Sequence, residues 1–177
     1  MKTIGILKET LDNESRVILL PQDIDDFVKK YDVLVEKGAG TGLGISDEMY
    51  AKKGAKIVSK QECWNSDFVL KYKAPSKQEY KYLNKNTKIG AIFHAEGNYE
   101  LLKVLKEKKV TAYSYEFIKT SDDFFPMAYA GGEIAGKMAV IYACFYQQKH
   151  YGGSGKALFS IRNCLLYIFF HGAGVDI

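Results

Sequence analysis

Arg16, Lys73 and His94 are the residues of this chain whose types and settings could do chemistry. Arg16 lies in DNESRVILLP, where a polar loop gives way to an apolar run. A guanidinium grips a carboxylate through two parallel N–H donors, a geometry that an ammonium cannot reproduce. Composition alone reads Arg16 as a surface arginine. Lys73 lies in DFVLKYKAP, two residues before Pro75. If a strand persists that far, Lys71 and Lys73 share a face. A lysine at a strand end is usually just solvated, whereas one facing a cleft holds an anionic group. His94 directly follows IGAIF and precedes Ala95-Glu96-Gly97. An imidazole exchanges its proton near neutrality, which suits acid-base work. A structural histidine explains the same position equally well. His150, in the polar end of a helical stretch, and His171, in the tail, are weaker candidates.

These residues need elements to hold them. Short β-branched or aromatic runs predict strands at Thr3 to Leu7, Val33 to Glu36, Ile57-Val58, Phe68 to Tyr72, Ile89 to Phe93 and Val110 to Tyr113. Amphipathic segments lie between them at Pro21 to Tyr31, Ser46 to Lys53, Ser76 to Leu83 and Tyr99 to Lys108. Pro21 suits a first helical turn, Ser46-Asp47 an N-cap and Gly54 a helix end. Strands alternating with helices predict an α/β fold, a mostly parallel sheet with helices on both faces. Sites in such sheets lie beyond the carboxyl ends of the strands, here the loops after Leu7, Tyr72 and Phe93. Glu133 to Lys149 carries Ile134, Met138, Ile141 and Phe145 as one apolar stripe and predicts a long connector helix. Gly136 inside it costs about 1 kcal/mol relative to Ala, which close packing on another backbone would explain. The expected division is 1–131 as a first domain, 132–151 as the connector and 152–177 as the start of something else.

Composition narrows the classes. The 177 residues are 47% hydrophobic and 26% charged, enough for a respectable core and too apolar for disorder. The net charge of +4 is scattered, and Glu107 interrupts the densest basic cluster, Lys106 to Lys109. With no zinc-finger or helix-turn-helix signature, nucleic acid is not an expected partner. Three cysteines without metal spacing, and no secretory signal, point to a soluble cytoplasmic protein. The apolar run from Cys164 to Phe170 is far short of the ~20 residues that span a bilayer.

Five ordered blocks then become recognisable: KTIGILKETLDNESRVILLP, VLVEKGAGTGLGISDEMYAKKGAKIV, DFVLKYKAP, FHAEG and GGEIAGKMAV. Over roughly residues 1 to 155 the chain resembles the N-terminal region of alanine dehydrogenase and the pyridine nucleotide transhydrogenase α subunit. More distant relatives are N5-(carboxyethyl)ornithine synthase and the saccharopine dehydrogenases. The resemblance implies that Arg16 binds a substrate carboxylate, that Lys73 contacts the 2-oxo or 2-amino acid and that His94 is the acid-base catalyst. The implied chemistry is hydride transfer between C2 of an amino acid and NAD(P). Ala74 stands where the family usually has Glu, and Tyr129-Ala130-Gly131-Gly132 replaces a serine-bearing segment, which opens opine- or saccharopine-type substrates. In LLYIFFHGAGVDI the apolar run meets Gly172 and Gly174, resembling a first strand and glycine turn of a dinucleotide-binding domain cut short. The expectation is a truncated dehydrogenase that binds no cofactor alone, with its tail promoting homo-oligomers or self-association. A stand-alone 2-oxo or amino-acid binding module and an inert remnant are the rival readings.

Overall fold

In the computed structural model the described residues are 2–156. The expected tail strand, Gly172 and Gly174 lie outside the described residues. The chain divides into two compact units, one ending at Glu116 and the other beginning at Phe117.

The first unit is built on six parallel strands: β1 (Thr3–Ile6), β2 (Asp32–Glu36), β3 (Lys56–Val58), β4 (Phe68–Lys73), β5 (Lys88–Ile92) and β6 (Thr111–Ser114). Their order is β3-β2-β1-β4-β5-β6, every pairing parallel. The chain starts in the middle, winds outward to β3, returns beside β1 as β4 and winds the other way. The direction therefore reverses between β1 and β4, and in such sheets ligands bind beyond the carboxyl ends of the strands at that point.

Successive strand residues face opposite ways, so Ile6 and Leu7 enter different cores. Ile6, Val33 and Val35 pack with Ile24, Tyr50 and Ala55 from the segments between β1 and β3. These are a 3-10 turn (Pro21–Ile24) running into α1 (Asp25–Val28), and α2 (Asp47–Ala51). Leu7, Val69, Ile89 and Ala91 pack on the other side with residues of α3 (Lys60–Trp64) and α4 (Tyr99–Glu107). The expected α/β fold, with helices on both faces, is the one observed. Gly5 is required where α3 crosses β1: a Cβ there would lie 2.5 Å from the Cys63 carbonyl oxygen.

The six expected strands all form, within a residue or so at each end. The helical segments differ more. Ser76 to Leu83 is a tight 3-10 helix (Lys77–Tyr82), because Glu79 turns back on Ser76 and pins the turn. Helix α3 was not expected, although its signal, Ser59 followed by Glu62, is a reciprocal capping box in which Ser59 Oγ accepts from the Glu62 amide. In the second unit α5 runs from Pro126 to Tyr146, starting earlier and ending sooner than the periodicity of 133–149 predicts. Proline fits its first turn, and a separate 3-10 turn (Lys149–Tyr151) follows. Among the described residues a Cβ at Gly136 would meet nothing within 4 Å, so these residues supply no close packing partner for it.

Candidate active site at the carboxyl edge of the sheet

The reversal between β1 and β4 gathers the three expected residues at one edge. Arg16 lies in the loop after β1, Lys73 ends β4, and His94 follows β5 by two residues. Each is placed by a carboxylate.

Glu14 takes Arg16 by the side, accepting from Nε at 2.7 Å and from Nη2 at 2.5 Å. Nη1 donates to the Tyr72 hydroxyl at 3.0 Å, and the guanidinium sits 4.0 Å from the centre of the Tyr72 ring. A guanidinium has five N–H donors, so these three bonds leave one on each Nη nitrogen. A carboxylate binds such a pair end-on where the two N–H bonds run parallel. The hydrogen bonds from Arg16 hold the Glu14 carboxyl at about 2, well below the ordinary carboxylate range. Glu14 in turn holds the Arg16 guanidinium more firmly protonated. With 51% of its side chain exposed, Arg16 is positioned yet open to solvent.

Lys73 Nζ lies 3.4 Å from His94 Nε2 and 5.9 Å from the centre of the Tyr72 ring. An ammonium has only donors, so a hydrogen bond here makes Nε2 the acceptor and leaves the ring proton on Nδ1. His94 has φ 44° and ψ 46°, left-handed backbone that few residues other than glycine adopt. Its amide donates to Glu116 Oε1 at 2.7 Å, and the Phe93 amide donates to the same oxygen at 2.9 Å. Although burial pushes the Glu116 carboxyl up, hydrogen bonds bring it below its ordinary range.

The shared face expected for Lys71 and Lys73 fails. The register of β4 on β5 shifts between Leu70 and Lys73, which interrupts the alternation. Lys71 is wholly buried, its ammonium 3.1 Å from Glu79 Oε1, 3.6 Å from Glu9 Oε2 and 3.2 Å from the Lys8 carbonyl oxygen. Lys73 is half-buried, against His94. Glu9 Oε1 accepts the amides of both Tyr72 (2.7 Å) and Lys73 (3.3 Å). Glu36 Oε2 accepts the Lys8 amide at 3.0 Å.

Sequence reasoning found the three cationic or titratable residues and missed Tyr72, Glu9, Glu14 and Glu116. Glu14 had a usable signal, two residues before an arginine in the same loop. Tyr72 and Glu9 had only their places at strand ends. Glu116 had none, because its partners are more than twenty residues away.

The strand order is also one that binds dinucleotides, but the described residues do not fit a pyrophosphate there. The loop after β1 reads LKETLDNESR, without a glycine turn, and a buried carboxylate, Glu9, stands at its start. Among the described residues no cluster of three or more His, Cys, Asp and Glu could hold a metal ion, and no helix is long and apolar enough to cross a membrane.

The family model of the alanine dehydrogenase/PNT N-terminal domain matches residues 5–129. The chain belongs to that family. Alanine dehydrogenase 1 of Staphylococcus aureus is 35% identical to it over 156 residues, 86% of this chain and 41% of the relative. A solved L-alanine dehydrogenase, 30% identical, superposes with a TM-score of 0.81 over 86% of this chain and 43% of that one. A transhydrogenase from Sinorhizobium meliloti, also 30% identical, gives 0.62 over 66% of this chain and 36% of its own. The chain thus spans about two fifths of the length of the curated relatives it matches. The matched residues run from β1 through the first unit into α5.

Proposed function

We propose that this domain binds a small 2-oxo or 2-amino acid, as the substrate-binding part of an NAD(P)-dependent amino-acid dehydrogenase. One observation carries the reading: Arg16 retains an N–H on each Nη nitrogen beside the Lys73–His94 pair. A carboxylate held end-on by Arg16 would direct the neighbouring C2 toward Lys73. The Lys73 ammonium then donates to the C2 oxygen of a 2-oxo acid, drawing electrons from the carbon. His94, hydrogen-bonded to Lys73, takes up or returns a proton as the C2 substituent changes. In the complete enzyme NAD(P) would supply the hydride-transfer chemistry at C2.

In this reading residues 1–131 serve as the substrate domain and 132–151 as a connector. Residues 152–177, with Gly172 and Gly174, begin a dinucleotide-binding domain. The protein works in the cytoplasm as a homo-oligomer.

Calorimetric titration of the whole chain with pyruvate and with larger 2-oxo acids tests the proposal. A bidentate charge-assisted contact contributes about 1.5 to 3 kcal/mol, so Arg16→Ala should weaken binding by roughly tenfold or more with the fold intact. Binding of the larger acids in preference to pyruvate would move the substrate toward the opine or saccharopine type. No heat with any of them, or equal affinity in wild type and Arg16→Ala, would remove this site from consideration.

A further inference from the structure

The site has a support that the chemistry above does not use. Where β4 slips against β5, the Tyr72 and Lys73 amides are both taken by one oxygen of Glu9, a buried carboxylate at the end of β1. The other oxygen, Oε2, has no hydrogen-bond partner among the described residues and faces the buried Lys71 ammonium at 3.6 Å. Lys71 is itself fixed by the Lys8 carbonyl and by Glu79. Glu79 is fixed by the Ser76 amide at 2.9 Å and the Thr10 hydroxyl at 2.9 Å. A chain of buried contacts therefore ends on the two peptide groups that carry Tyr72, beneath Arg16, and Lys73, against His94.

We infer that Glu9 is a positioning residue: by holding the bulged end of β4 it sets the direction in which Lys73 meets His94, and the buried Lys71–Glu79 pair holds Glu9. The inference rests on the substrate-site reading for its functional meaning, but its geometry stands without a ligand. Bulges beside active sites commonly re-aim a side chain, and here one carboxylate takes two amides beyond the end of the β1–β4 ladder. Burial raises the Glu9 carboxyl above its ordinary range, while the Lys71 charge and the two amides pull the other way, so its charge depends on those partners.

A purely structural pin would stabilise the chain without steering Lys73. The same β1–β4 seam offers the control at its other end, where Asp67 Oδ2 accepts the Thr3 amide at 2.8 Å. The test is NMR of the labelled, ligand-free full chain, observing the cross-peak between the Lys73 ε-methylene and the His94 ring. The cross-peak should vanish in Glu9→Ala and return in Glu9→Gln, whose amide oxygen can still accept both N–H groups. It should persist in Asp67→Ala. Retention in Glu9→Ala, failure to return in a folded Glu9→Gln, or equal loss in Asp67→Ala overturns the inference. Should Glu9→Ala not fold, Glu9→Asp keeps the charge and withdraws the oxygens by one methylene. An unchanged cross-peak in that variant is equally fatal. Because no ligand enters the measurement, a chain that binds no 2-oxo acid sinks the proposed function and leaves this result standing.

Discussion

The seam between β1 and β4 is closed at both ends by a carboxylate, and the two closures are built differently. At the amino end Asp67 accepts from the Thr3 amide and hydroxyl, and the Asp67 amide donates back to Thr3 Oγ1 at 2.8 Å. The arrangement is exposed and, among the described residues, involves no ion pair. At the carboxyl end Glu9 does the same job for Tyr72 and Lys73, but it is buried with Lys71 and Glu79. Glu36 and Glu116 cap the amides that leave β1 and β5 at the same edge. Buried ion networks add little stability over apolar packing and often reduce it. A fold that needed only a closed seam could use the amino-end version twice. The difference indicates that the carboxyl edge carries a geometric requirement that the amino edge does not.

The largest break of this comparison is Lys71→Met. It leaves Glu9 and Glu79 buried without their cation, and removing one member of a buried pair typically costs about 3–5 kcal/mol. The urea midpoint near neutral pH should fall accordingly. An unchanged midpoint would mean that the network is not closed in solution. Asp67→Ala should cause a smaller fall, because water can replace the carboxylate at an exposed strand end. It should leave 2-oxo acid affinity as in wild type. Equal losses of affinity from the two ends would erase the distinction between them.

The parts of the molecule that depend on local pattern were legible. Alternating apolar strands such as Ile4–Ile6 and Val33–Val35 announce themselves, and so does the parallel order once helices intervene. Arg16, Lys73 and His94 were legible as types at strand ends, and family resemblance gave them roles. The network beneath them was not. Glu9 meets Lys73 across 64 residues and Glu116 meets His94 across 22, with no periodicity linking the partners. The bulge that separates Lys71 from Lys73 is a one-residue slip in pairing, invisible in a run reading FVLKYK. The extent of α5 was misjudged because Ala and Gly before Glu133 blur a periodicity that Pro126 marks more clearly.

The smallest expected effect concerns Glu14, and it separates two carboxylates of one site by sign. Glu14 is held at about 2 in the folded chain against an ordinary 4.5, chiefly by hydrogen bonds from the Arg16 side chain. A depressed folded value means that its stabilisation is complete above 4.5 and is lost as pH falls from there through about 2. Glu9 runs the opposite way: burial raises it, so its ionised form opposes folding and its protonation on acidification relieves that cost. Glu14→Gln should therefore lower the unfolding midpoint by a constant amount from neutrality down to 4.5, with the gap to wild type narrowing as the pH approaches about 2. Asp67, also held low by its bonds to Thr3, titrates alike in both chains and cancels from the difference. A gap that stays constant to the lowest pH would show that the Glu14–Arg16 fork does not form in solution. The two N–H groups that Arg16 offers a substrate would then lose the carboxylate that aims them.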